Sequence, residues 1–238
     1  MSENGKKKKF FRVLSLFGRF VAAAAFIGFL IPSAFSGWRW ISIKAARSQD
    51  LSLLEYHVGT GIARKDMSFA ERWIRYRPYS ESAQIIERLK PFSPGLTPLI
   101  FFNMAKRARV LGDVEEKRFW SMVARFRLRY DAVRCGSYDA HESADEVLQI
   151  FYHADKSLID PLSVEDTITL TRKVLEFDAQ YPANNTPADT CRFLNNMSAE
   201  KSPLDIVPEE SWPELRFNLR YATDLSLQLA AERLKKGQ

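Results

Sequence analysis

The chain has 238 residues, 46% hydrophobic and 13% aromatic, with a net charge of +6. That content can build a real core and excludes a disordered or low-complexity chain. The positive charge is not a nucleic-acid signature: residues 1–47 hold nine basic and one acidic residue, net +8, whereas residues 48–238 hold 26 basic and 28 acidic, net −2.

The first predicted element is RFVAAAAFIGFLIPSAFSGWRW, residues 19–40. From Phe20 to Ile31 twelve residues carry no charge, about 18 Å of helix against a hydrocarbon core of about 30 Å. A run of that length fits the apolar centre of a signal peptide, with Pro32 breaking the helix and small Ala34 and Ser36 allowing cleavage before Gly37. Continued to Trp38, the uncharged run is nineteen residues, about 28 Å of helix. Trp38, Arg39 and Trp40 then resemble a membrane-interface belt. The longer count favours an uncleaved transmembrane helix over 20–38, with a signal cut after Ser36 as the alternative. Six cations precede the run and Arg39, Lys44 and Arg47 follow it. The positive-inside bias therefore makes residues 1–19 a cytoplasmic tail and sends the body across the membrane. Residues 39–63 read as a juxtamembrane linker, and 64–238 as an exported domain.

Within that domain the pattern is all-α. SFAERWIRYRPY, from Ser68 to Tyr79, opens with Ser68 as N-cap and Glu71 three residues on, and Pro78 ends it. A short helix over 81–89 and the Pro/Gly-rich link 91–98 follow. Ile100, Met104, Ala105 and Ala108 then recur at helical spacing, and beyond Leu111-Gly112-Asp113 so do Phe119, Val123, Phe126, Tyr130 and Val133. Gly112 suits a left-handed C-cap and Asp113 an N-cap, so the pair predicts an antiparallel helical hairpin. Arg118, Arg125 and Arg129 fall together on the opposite face of its second helix and are the candidate surface for an acidic partner. Further helices are predicted over 143–156, over 163–180 with Ser163 and Asp166 in capping-box positions, and over 212–236 with Ser211 as N-cap. Residues 181–208, rich in Asn, Pro, Asp and Ser, read as a long irregular loop.

The arrangement of Ala105, Gly112 and Ala124 around the hairpin weakly resembles one tetratricopeptide or Sel1-like helical repeat. It covers about 30 residues of the 238, with Lys117 where a small residue is expected and no second copy at the repeat period. The resemblance implies helix-pair packing and no more.

Two cysteines, Cys135 and Cys191, pair as one disulfide if the body is exported, and stay buried thiols otherwise. Residues 64–134 carry net +8 and residues 135–238 net −8. Either the two halves pack together or each carries a solvated face; a sharper alternative sets the basic half against anionic lipid or an acidic partner.

Chemical motifs are sparse. His141-Glu142-Ser143-Ala144-Asp145 is one histidine short of the zinc-protease signature and also reads as a capped helix start. Gly59-Thr60-Gly61 lacks the third glycine of a dinucleotide fingerprint and reads as a turn. Arg72, Arg75 and Arg77 with Trp73, Tyr76 and Tyr79 read as an amphipathic helix, aromatics inward and arginines outward, rather than as a stacking surface for nucleic acid. No cofactor or small-molecule substrate is indicated. These readings favour a membrane-anchored, non-catalytic scaffold or adaptor whose partners are the bilayer and another membrane or envelope protein. An exported hydrolase centred on His141, or a soluble binding module released by cleavage, is the alternative.

Overall fold

The computed structural model describes residues 50–136, Ala144, Leu148, 162–197 and 206–236. The chain divides between Gln49 and Asp50; the expected cytoplasmic tail, the 20–38 segment and the expected belt of Trp38, Arg39 and Trp40 lie outside the described residues. So do most of the predicted helix over 143–156 and His141. Among the described residues no helix is long and apolar enough to cross a membrane.

The described body is helical throughout, without strands. In chain order the α-helices are α1 (Leu54–Ala63), α2 (Ser68–Tyr76), α3 (Ser82–Leu89), α4 (Pro98–Val110), α5 (Val114–Arg134), α6 (Val164–Gln180), α7 (Ala188–Met197) and α8 (Trp212–Lys235). The α4–α5 pair is the centre. Its turn closes as expected: Gly112 has φ +78°, its N–H bonds the Arg109 carbonyl and the Asp113 N–H bonds that of Ala108. Those two bonds form a Schellman cap, which satisfies carbonyls left over at a helix end. The Asp113 side chain then accepts from the Glu116 N–H at 2.9 Å and starts α5. Ile100, Met104, Ala105 and Ala108 are fully buried, as are Val123 and Tyr130 of the second stripe.

On one side of the hairpin α2 and α3 pack against α4; on the other α6, α7 and α8 pack against α5. Phe177 of α6 enters between the hairpin's aromatics, 6.3 Å from Phe101 and 5.5 Å from both Phe119 and Trp120. Each such aromatic, once buried, contributes roughly 2–3 kcal/mol. Ser163 caps α6 as predicted, accepting from the Asp166 N–H at 3.0 Å. Ala144 and Leu148, one helical turn apart, are both helical and buried.

Several expectations are corrected. The presumed linker is folded from Leu51: Leu54 and Val58 of α1 are fully buried, and Gly59-Thr60-Gly61 is helical rather than a turn. The linker reading overlooked an apolar spacing of three and four residues through Leu51, Leu54 and Val58. At α2, Ser68 is the first helical residue and Met67 the N-cap, which makes no side-chain capping bond; Asp66, just outside the helix, accepts from the Ser68 N–H at 3.0 Å. Ser211 stands at the N-cap position of α8 as expected, but it also closes a short 3-10 turn and its side chain makes no capping bond. The stretch 181–208 is not irregular throughout, because 188–197 forms α7. Its ordering partner is remote: Cys191 of α7 is disulfide-bonded to Cys135 at the end of α5, with Cα atoms 5.3 Å apart. Pairing with a residue 56 positions away leaves no local signal.

Candidate interaction surfaces

Helix α5 is covered by α4, α6, α7 and α8, so several of its polar side chains are buried along with its apolar stripe, while Arg118, Arg125 and Arg129 keep a partly open edge. Arg127, Asp131 and Arg134 are each at most 1% exposed. A charge so placed must be paired or hydrogen-bonded. Arg134 donates to Asp131, and to the Asn185 carbonyl at 2.7 Å, while its guanidinium stacks 4.3 Å from Tyr130 and 4.6 Å from Trp212. Asp131 also accepts from the Thr190 hydroxyl at 2.7 Å. Burial pushes the Asp131 carboxyl up from its ordinary range, and Arg134, Thr190 and Asn185 oppose that push.

The second cluster is centred on Asp178 of α6. Its Oδ2 accepts from Arg216 Nε at 2.9 Å and from Arg220 at 2.8 Å, and its Oδ1 lies 3.5 Å from the guanidinium of Arg127. Arg127 donates to the Tyr181 carbonyl, and burial lowers its pKa to about 10. Here an acid of the acidic half meets a cation of the basic half, so the two halves do pack together at this point. Both clusters are framework: they hold α6, α7 and α8 on α5. Sequence reading missed them because alternating charges on a helix look like a solvated face.

The predicted arginine surface is partly visible. Arg129 is exposed and Arg118 and Arg125 are half-buried. Arg118 lies 3.7 Å from Glu115, and Arg125 and Arg129 also have contacts within the molecule. In α2, Trp73 is buried and Arg72 and Arg75 are exposed, as expected, but Arg77 and Tyr79 exchange roles. Arg77 is buried beside Trp73 and pairs with Glu81, while the Tyr79 ring is exposed. The half-buried His57 is held between Tyr56, Phe69 and Trp73, and burial lowers its pKa. Among the described residues no group of three or more His, Cys, Asp or Glu could hold a metal ion.

Two features stand out on the surface, and neither was anticipated. Helix α8, about 36 Å long at 1.5 Å per residue, is anchored by Arg216, Arg220 and buried Leu227. Its outer side carries Phe217, Tyr221, Leu225 and Leu229, exposed by 66, 62, 42 and 50%. These lie four residues apart and form one ridge, with the rings of Phe217 and Tyr221 stacked at 6.3 Å. Beside the ridge runs a groove of about 450 Å³ between α6 and α8, edged by Arg172, Glu176, Arg220 and Asp224. The second feature is a recess between α2 and α4 lined by Arg75, Lys106 and Arg107.

No protein-family profile, curated protein or solved structure matches the chain.

Proposed function

We propose that this chain is a single-pass, membrane-anchored, non-catalytic scaffold or adaptor. Residues 1–19 form its cytoplasmic tail, 20–38 cross the bilayer, and the helical body is exported. There it docks a helix of another membrane or envelope protein. The observation that carries this reading is the α8 ridge of Phe217, Tyr221, Leu225 and Leu229. Four large apolar side chains in an i, i+4 row are the surface that packs into the groove of a crossing helix. The adjoining α6–α8 groove, bordered by charges of both signs, gives that helix a place to lie with a polar rim. Arg118, Arg125 and Arg129 offer a second contact, for acidic side chains of the same partner. Export is supported by the Cys135–Cys191 disulfide, since such bonds persist in oxidising compartments.

The test is native purification of a C-terminally tagged chain from gently solubilised membranes, beside a Phe217→Asp/Leu225→Asp variant. Retention of a stoichiometric partner by the wild type and its loss from the variant, with unchanged circular dichroism, is the expected result. A chain that begins at Gly37, is recovered alone from the soluble fraction, and behaves the same in both forms rejects the anchored adaptor. Self-association that the variant abolishes would instead assign the ridge to a second copy.

A further inference from the structure

The α2–α4 recess has a volume of about 320 Å³ and is lined by three cations, Arg75, Lys106 and Arg107, with no carboxylate among the described residues of its wall. Arg107 is 2% exposed. Its guanidinium donates to the carbonyls of Ile74, Arg77 and Pro78 and to the Ser82 hydroxyl, all uncharged acceptors. Of the nearby carboxylates, Glu81 is engaged by Arg77, and Glu71, one turn before Arg75 on α2, accepts from the Thr97 hydroxyl and feels the Arg75 charge without forming a salt bridge with it. Arg107 thereby caps the end of α2 and fixes a positive charge behind the recess. Burial lowers its pKa to about 10, so it remains a cation at neutral pH. Arg75 on α2 is exposed and Lys106 on α4 is half-buried. Neither forms a salt bridge with the other described residues.

Three like charges converging on one small hollow repel one another, and an anion relieves that repulsion. A carboxylate supplies one negative charge; a phosphate group supplies about −1.5 to −2 at neutral pH and three strong acceptors. The second fits better, and arginine's planar fork suits it. The rest of the wall is Asn103, Tyr79, Leu99 and Phe102. The Tyr79 ring is held beside the Arg107 guanidinium at 5.5 Å. Leu99 and Phe102 form an apolar side that suits an organic body, not a bare ion. The volume is at the small end of ligand pockets, which begin at about 300 Å³.

We propose that the recess between α2 and α4 binds the phosphate of a small phosphoester, with Arg75 and Lys106 as contacting cations and Arg107 as the fixed charge behind them. The same chemistry occurs on a soluble phosphoester and on an anionic lipid headgroup. The experiment is calorimetric titration of the full chain in a non-ionic detergent with phenyl phosphate, benzoate, glycerol phosphate and short-chain phosphatidylglycerol. Phenyl phosphate should bind about tenfold or more tightly than benzoate. Arg75→Gln/Lys106→Gln should weaken it about tenfold or more, as expected for lost charge-assisted hydrogen bonds. Lys173→Gln, which removes a distant surface charge, should leave it unchanged. Glycerol phosphate binding the tighter of the two glycerol compounds assigns a soluble ligand, and phosphatidylglycerol binding the tighter assigns a headgroup. Equal affinity for benzoate, no saturable binding of any probe, or undiminished binding by the double variant overturns the proposal.

Discussion

Asp178→Asn tests the framework most directly. The carboxylate is 1% exposed, 3.5 Å from Arg127, 2.9 Å from Arg216 and 2.8 Å from Arg220. Asparagine keeps the size and one acceptor oxygen but removes the charge. The side chains of Arg216 and Arg220 are 22% and 29% exposed and can turn toward water. Arg127, at 1%, cannot. Stranding one member of a buried ion pair costs about 3–5 kcal/mol. Because Arg127 keeps its bond to the Tyr181 carbonyl, the lower end, about 3 kcal/mol, is expected. The assay is urea unfolding of the full chain, followed by circular dichroism, for the wild type, Asp178→Asn, Arg127→Met and the double variant. The double variant should recover about 1–2 kcal/mol relative to the sum of the singles, since no unpaired cation is left. A cost below about 1 kcal/mol for Asp178→Asn, or strict additivity, would refute the argument that this carboxylate balances Arg127.

Three further outcomes are expected. Replacing both cysteines, Cys135→Ser/Cys191→Ser, should lower stability by about 4 kcal/mol from loop-closure entropy alone; denaturation midpoints and amide exchange in α7 would show it, and unchanged exchange there would contradict the reading that the bond pins α7. Gly112→Ala should cost about 1 kcal/mol, because φ is +78° there although the space around it is open; a neutral effect on Tm would mean the turn rearranges. Glu71 gives a pH dependence. Burial raises its pKa above the ordinary 4.5, with the Thr97 hydroxyl opposing and Asp189 adding to the rise. The folded state therefore holds that proton more tightly, and its destabilising effect sets in as pH rises through the ordinary value toward the folded one. Glu71→Gln should accordingly gain in Tm over the wild type at about pH 7 and lose that gain at about pH 4. A pH-independent difference between the two would exclude it.

Local physics made much of the body legible. Gly112-Asp113 predicts the hairpin because only a few residues tolerate the left-handed cap and fewer also start a helix. Ser163 marks the start of α6 for the same kind of reason, and the apolar stripes of α4 and α5 find buried positions. The weak repeat resemblance went no further than this: an antiparallel pair without a second unit. The linker reading failed at 51–63, where two local signals were present: helical spacing through Leu51, Leu54 and Val58, and Asp50 just before them, whose side chain caps the opening turn by accepting from the Ser52 N–H at 3.0 Å.

The sequence by itself determined the all-α class, the principal helices and the hairpin, because capping bonds and apolar periodicity act over a few residues. Tertiary structure alone decided the rest. Arg107, Arg127, Asp131, Arg134 and Asp178 are buried because helices remote in the chain close over them, and no residue's own neighbours reveal that. The aromatic ridge of α8 is exposed for the converse reason: Phe217 and Tyr221 look like core residues in sequence, yet Arg216 and Arg220 bind Asp178 and turn the opposite face of the helix inward. Which face of α8 meets the core is set by contacts remote in the chain, here the ion pairs to Asp178 together with the burial of Leu227.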